Sequence, residues 1–388
     1  MPWEVRAVDE QRLEFCRLVE GGGVSVAVLC RRFGISTKTG FKWLARYRQQ
    51  GVAGLDDRSR RPLCSPGQVA AGIEELVCAV REAHPVWGGR KIRGFLLRRG
   101  GLGVPAASTI TQILRRRGLL VALPQRRAYG SFEHPAPNDL WQMDFKGWFS
   151  LSTGDRVHSL GVLDDHSRFN LCLQACSDQQ TATVKGLLVS SFERYGLPWA
   201  MLMDNGSPWG NDAGQPWTPL TVWLMDLDIR VIHSRPRHPQ TAGKEERFHR
   251  TLDLEVITTR NRWDSFDEVQ GAYDAWRPIY NFERPHQSLG ETTVPADRYQ
   301  PSPRAFPHNI DPPDYPVGVE TRLVSGACIS WHSHRIRVGK AFTGKHVAIT
   351  PTTTDGTYTI NYRHHTLRTI TLRPSPMSPN TDHPSPRS

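Results

Sequence analysis

Leu140-Trp141-Gln142-Met143-Asp144-Phe145 is an apolar run holding one bare aspartate, and the reading of the chain turns on that residue. A second run, Ala200-Met201-Leu202-Met203-Asp204-Asn205-Gly206, ends in another. A helix-like segment follows, from His238-Pro239-Gln240 through Gly243-Lys244-Glu245-Glu246-Arg247-Phe248-His249-Arg250-Thr251-Leu252. An ionised carboxylate in a buried strand is costly unless something pairs it. Three carboxylates converging from separate elements can share a divalent cation, which takes hard oxygen ligands. Each acid alone also has a plain structural reading. Asp before Asn-Gly is common turn chemistry, and neighbouring amides can satisfy a strand aspartate. The third acid requires a choice between Glu245 and Glu246. On a helix starting near Thr241, Glu246, His249, Arg250 and Asp253 share one face, whereas Phe248, Leu252 and Val256 share another that docks on a sheet. Glu246 is therefore preferred, and Glu245 reads as a solvated charge. No histidine stands beside the two aspartates in sequence.

Around these runs, residues 138–260 alternate strand and helix patterns. Strands are expected at 140–149, 156–164, 168–175, 199–204 and 229–233, with helices at about 180–195 and 218–226. Short early connections imply antiparallel hairpins, and later crossovers imply parallel pairing. The expectation is a mixed sheet flanked by helices. Residues 265–282 form a further amphipathic helix, with Phe266, Val269, Tyr273, Trp276 and Tyr280 at helical spacing. The stretch from Gly206 to Pro219, rich in Gly, Pro and Trp, reads as a surface insertion.

The net charge of +11 is segregated. Residues 1–130 hold 23 Lys and Arg against 10 Asp and Glu, a net +13, leaving −2 for the rest of the chain. Such a footprint calls for a polyanion partner. Residues 24–62 read as a helix-turn-helix: Val26, Val28, Leu29 and Phe33 supply an apolar face, and Gly34-Ile35-Ser36 makes the turn. Thr37 to about Gln50 is the second helix, with Ser36 as its N-cap. Phe41 and Leu44 are assigned to its packing face. Lys38, Lys42 and Arg46 suit a recognition helix in a major groove. Arg58, Arg60 and Arg61 form an arm for phosphates or a minor groove. A second helical unit over about 66–120 contributes Arg90 and Lys91, and Lys244 and Arg250 add basic character near the acids.

Prolines 301, 303, 307, 312, 313 and 316 mark a linker. Residues 317–372 read as short strands around the Asp355-Gly356 hairpin signal, a small β-barrel or sandwich. The Pro- and Ser-rich tail from Arg373 reads as disordered. Seven scattered cysteines lack zinc spacing and read as reduced structural thiols. With no secretory signal and no spanning run, a cytosolic protein is expected.

The ordered set Trp141-Gln142-Met143-Asp144-Phe145, Asp204-Asn205-Gly206 and His238-Pro239-Gln240 through Leu252 resembles the catalytic core of DDE transposases and retroviral-type integrases. Asp164-Asp165-His166-Ser167-Arg168-Phe169 is similar to that core's second-strand signature. Tyr280-Asn281, then Arg284-Pro285-His286-Gln287-Ser288-Leu289 and Pro295, is similar to the segment that follows it. The closest resemblance is to bacterial insertion-sequence transposases with N-terminal helix-turn-helix domains, over about residues 20–300.

The resemblance implies an RNase H-like core whose Asp144, Asp204 and Glu246 hold two Mg²⁺ ions, with Mn²⁺ able to substitute. It implies five segments: a helix-turn-helix at 10–62, a second such unit at 63–125, the core at 135–300, a β-barrel at 317–372 and the tail at 373–388. The implied substrate is double-stranded DNA, both element ends and target, handled by a homo-oligomer on the bacterial nucleoid without any membrane. Two departures stand out. Between Asp204 and Glu246 lie 41 residues, more than in the compact retroviral version, and the retroviral His/Cys zinc domain is missing. Competing readings are a structure-selective nuclease on the same fold and a non-catalytic DNA-binding regulator derived from a transposase.

Overall fold

The computed structural model describes residues 8–57, 69–120, 133–210, 217–234 and 243–372. The chain divides into two units, Met1–Gln68 and Val69–Ser388. In the first, Val8–Glu20 (α1), Val26–Arg32 (α2) and Thr37–Gln50 (α3) pack around Phe15, Leu29, Cys30, Trp43 and Leu55. Ser36 caps α3 as expected, its hydroxyl accepting from the Thr39 amide at 3.2 Å. Gly34 takes a φ of 66° in the turn, a conformation that favours glycine. The apolar face differs from expectation at two positions. Val28 and Phe41 are exposed, and Trp43 fills the place given to Phe41. The large indole wins the core because its outer face is covered by cations: the guanidinium of Arg12 lies 3.9 Å from its ring centroid.

In the second unit, Ala71–Ala83 (α4), Gly89–Arg98 (α5) and Ala107–Arg116 (α6) enclose Val77, Trp87, Ile92, Phe95, Ile110 and Leu114. These helices belong to the same unit as everything that follows them. Arg98 binds Asp297 through two nitrogens at 2.6 and 2.8 Å, Arg93 pairs with Glu291, and Arg99 reaches Glu283 at 3.3 Å.

Trp141–Ser150 (β1), Arg156–Asp164 (β2) and Asn170–Cys176 (β3) form an antiparallel meander. After Thr181–Tyr195 (α7), Ala200–Met203 (β4) lies parallel to β1. Pro219–Asp226 (α8) then leads to Arg230–His233 (β5), parallel to β4. The sheet order is β3-β2-β1-β4-β5, the mixed sheet expected. Gly243–Glu255 (α9) and Phe266–Pro278 (α10) cover one face through Phe248, Leu252, Val269, Tyr273 and Trp276. α10 stops at Pro278, and a wide turn over Ile279–Glu283 follows. There Asn281 pins the helix to β3 by exchanging hydrogen bonds with the backbone of Asn170 at 2.8 and 3.0 Å.

The C-terminal strands are Glu320–Leu323 (β6), Cys328–Trp331 (β7), His334–Arg337 (β8), His346–Pro351 (β9), Thr357–Tyr362 (β10) and His365–Thr371 (β11). They do not close into the expected barrel. Among the described residues they form an open sheet, β11-β10-β9-β6, beside a β7-β8 hairpin. The Asp355-Gly356 turn joins β9 to β10 as expected. The reason for the open sheet lies in its apolar face. Val347, Ile349, Ile360 and Tyr362 share one continuous core with Leu220, Trp223 and Leu224 of α8, so the sheet is covered by α8 rather than by itself. Tyr362 and Lys345 both bind Asp226 at the end of α8. Among the described residues no helix is long and apolar enough to cross a membrane.

Candidate active site

The registers of β1 bring the two strand aspartates together. Trp141 pairs with Met201 and Gln142 with Leu202 in the parallel ladder, so continuing that register sets Asp144 beside Asp204. β4 ends at Met203, which leaves Asp204 in the exposed turn just past the carboxyl end of its strand. Ligands of open α/β sheets gather at such strand ends. On the other side Asp144 stands opposite Gly161 of β2. A methyl group on Gly161 would lie 3.2 Å from Phe248 Cε1, 3.4 Å from Glu245 Oε2 and 3.5 Å from His249 Nε2. The missing side chain lets α9 press against the strands, and this seats Glu245 and His249 over Asp144.

Electrostatics follow from that crowding. Burial, and then the charge of Asp204, push the Asp144 carboxyl up to about 7. Glu245, 2% exposed, is held well above its usual range by burial and then by Asp144. The Leu163 amide offsets this in part, yet neither Glu245 oxygen has a partner in hydrogen-bond geometry. His249 Nδ1 lies 3.9 Å from Asp144 and its Nε2 lies 3.7 Å from Glu245. Burial, then Lys146, push this imidazole down to about 3, so it is a neutral neighbour and no counter-ion. Lys146 itself is paired with Asp253 at 2.7 Å. Asp204 is held differently: the Gly206 amide, at 2.9 Å, and the Trp209 indole N–H both donate to its Oδ1.

The structure brings together Asp144, Asp204, Glu245 and His249, and leaves Glu246 exposed on the first turn of α9. The expected division of the helix faces needs correction. Glu245, Phe248, His249 and Leu252 are all buried, forming one stripe with spacings of three and four residues. The acid thus lies on the docking face, and His249 does stand beside an aspartate. The spacing of Glu245 and His249, one turn apart, was the available signal. Among the described residues no three His, Cys, Asp or Glu side chains form a ready-made ligand group.

The other expected site residues fall in several places. Lys38 and Lys42 are exposed on α3, and Arg46 is half-buried with its guanidinium 5.0 Å from the Trp43 ring. Arg58, Arg60, Arg61 and the His238-Pro239-Gln240 run lie outside the described residues. Arg90 is exposed at the start of α5, and Arg250 is half-buried on α9. Lys91 is half-buried on α5. Burial, then Arg284, push its ammonium down to about 7. Lys244 is turned inward, ion-paired to buried Asp165. Asp165 also accepts from Gln142 Nε2 at 2.6 Å and from the His134 amide at 2.8 Å. Asp164 accepts from the Asn138 and Ser167 amides, each at 2.7 Å. Trp209, placed by sequence in a surface insertion, is 1% exposed.

A basic helix-turn-helix unit and a mixed-sheet core with two adjacent strand acids define the architecture. Comparison with known proteins agrees. Residues 11–62 match a helix-turn-helix domain and 39–114 a homeodomain-like domain. Residues 134–239 and 227–293 match integrase core domains, and 319–376 match the C-terminal domain of the IS481 family transposases. The matches are those of insertion-sequence transposases in kind and order, and the likeness to the IS481 family rests on residues 319–376. It is 29% identical over 154 residues to a 39.2 kDa protein of insertion element IS476 from Xanthomonas euvesicatoria, covering 40% of this chain and 42% of that one. A 31.7 kDa protein of element IS407 from Burkholderia multivorans is 24% identical over 175 residues, 45% of this chain and 58% of the relative. The chain thus spans less than two thirds of either relative. A simian T-cell lymphotropic virus intasome chain aligns at 14% identity over 73% of this chain and 91% of its own, with a TM-score of 0.38.

Proposed function

We propose that the chain binds the terminal inverted repeats of its element and carries out metal-dependent DNA cleavage and strand transfer, with Asp144, Asp204 and Glu246 as the DDE acids. The observation that carries this reading is the adjacency of Asp144 and Asp204 at an open strand end, crowded enough to raise the Asp144 carboxyl. Their hard oxygen donors, and the unpartnered Glu245 oxygens beside them, fit a site built for a divalent cation. Two bound Mg²⁺, or Mn²⁺ in their place, would supply Lewis acidity to the attacking and leaving oxygens of the phosphodiester.

The chain's own residues would then divide the work. Glu246 is preferred as third ligand because, like Asp204, it is exposed where a DNA phosphate can arrive. Azimuth leaves both glutamates on the Asp144 side of the helix. At about 100° per residue, His249 falls between the two glutamates on α9, about 40° from Glu245 and about 60° from Glu246. On this reading Glu246 would turn toward Asp144 from the solvent side, whereas Glu245 already feels the Asp144 charge. Lys38, Lys42 and Arg46 would grip the element ends. Hydrolysis there frees a 3′-hydroxyl, which next attacks a target phosphodiester and displaces a 3′-oxygen. Two ends must meet for this, so the working form is a homo-oligomer on DNA.

Labelled element ends incubated with a plasmid and Mg²⁺ test the reading. Joined products are expected, and they should vanish with EDTA or in Asp144→Asn. Cleavage of branched DNA without joining would leave a nuclease, and end-binding without chemistry would leave a regulator.

A further inference from the structure

The residue after the Asn205-Gly206 turn that matters most is Trp209. It is 1% exposed, and its ring stacks on Phe145 with centroids 5.5 Å apart and planes at 15°. Its indole N–H donates to Asp204 Oδ1, the oxygen that also accepts from the Gly206 amide. An indole nitrogen only donates, and when buried it needs an acceptor. A carboxylate is the strongest acceptor available, since the bond is charge-assisted. Two donors on one oxygen fix the plane of the Asp204 carboxylate. The stack ties that carboxylate to Phe145, the neighbour of Asp144 on β1. One side chain therefore couples the geometry of both strand acids, which otherwise sit on different strands and repel.

We propose that Trp209 is a positioning residue that orients Asp204 for divalent-cation binding, and that it works through its N–H as well as its ring. The inference rests on the metal reading above. It assigns a task to a segment that looks, by composition alone, like a surface insertion.

The test is Mn²⁺ binding to the full chain, read from the electron paramagnetic resonance of free Mn²⁺, for wild type, Trp209→Phe and Asp204→Asn. Phenylalanine keeps an aromatic face for Phe145 and removes only the donor. Expected is a Mn²⁺ affinity lower by about 10- to 100-fold in Trp209→Phe, with a metal-free melting temperature close to wild type. Affinity equal to wild type in Trp209→Phe would overturn the inference and leave the metal reading standing. If wild type and Asp204→Asn bind Mn²⁺ alike, the metal reading fails and takes the inference with it. Should Trp209→Phe not fold, ¹⁵N-tryptophan spectra of the wild type decide. One indole N–H resonance should move both on adding Mg²⁺ and in Asp204→Asn. No such shared resonance would equally overturn the proposal.

Discussion

Two acid clusters lie along β1, three residues apart, and they are built in opposite ways. At Trp141 the strand faces Asp164, and at Asp144 it faces Gly161. Asp164 and Asp165 are almost fully buried, and their oxygens accept from the amides of Asn138, Ser167 and His134, from Gln142 and from Lys244. Asp144, Asp204 and Glu245 crowd one another instead, and the neighbouring histidine is held neutral. Buried carboxylates that hold a fold together are supplied with donors. In the crowded cluster the Glu245 oxygens have no partner in hydrogen-bond geometry, and the donors Gly206 and Trp209 both fall on Asp204 Oδ1. Perturbed groups of this kind gather at functional sites. The contrast separates structural from chemical acids more sharply than burial alone does.

The largest effect expected is on chemistry. Asp144→Asn, Asp204→Asn and Glu246→Gln should each lose cleavage and joining completely in a labelled-end assay, while end-binding persists. Each change removes one anionic oxygen from a site that offers few. Glu245→Gln should keep most of the activity. If Glu245→Gln is dead and Glu246→Gln still cuts, the two glutamates exchange roles and the buried one becomes the ligand.

Next in size is the stability of the satisfied cluster. Asp165→Ala leaves the ammonium of Lys244 inside the unit without its carboxylate, and strands Gln142 Nε2 and the His134 amide. Breaking one side of a buried pair costs about 3 to 5 kcal/mol. Urea denaturation should register that loss, with or without Mg²⁺. A cost below about 1 kcal/mol would mean that water replaces the lost partner.

A smaller, selective effect is expected among the basic residues. Lys38→Ala and Lys42→Ala remove exposed charge from α3 and should weaken end-binding and flatten its salt dependence. Lys244→Ala should alter stability and leave the salt slope unchanged, because its ammonium is paired to buried Asp165, and half-buried Lys91→Ala should lower the slope less than the α3 changes do. Binding isotherms at several salt concentrations distinguish the two groups.

Much of this was readable in the chain. All five core strands, the α7 and α8 crossovers, the helix-turn-helix with its Ser36 cap and the adjacency of Asp144 and Asp204 follow from period, turn chemistry and motif order. The remainder depended on tertiary packing. The helix period around Glu245 is ambiguous because a glutamate on a docking face violates binary patterning, and only Gly161 on a distant strand makes room for it. Lys91 and Lys244 look like any basic residue until their partners Arg284, Glu255 and Asp165 are folded against them. The open C-terminal sheet follows from the apolar face of α8, which no local pattern in residues 317–372 discloses.

The smallest effect is the most direct probe of the crowded cluster. Asn at 144 keeps the shape of Asp and removes its charge from beside Asp204 and Glu245. In metal-free buffer at neutral pH the wild type bears the repulsion and the desolvation of that group, whereas Asp144→Asn bears neither. The variant should therefore be more stable than wild type, by about 1 kcal/mol, within the range of a single relieved polar or charged burial. Mg²⁺ should reverse the order. The wild type gains by binding, in proportion to the logarithm of metal concentration over Kd, and a variant that binds weakly gains little. Melting curves with EDTA and with millimolar Mg²⁺ report both halves. The corresponding change in the other cluster, Asp164→Asn, should destabilise in both buffers, because there each carboxylate oxygen already has a donor. Destabilisation by Asp144→Asn in EDTA would place Asp144 with the structural acids and erase the distinction between the two clusters.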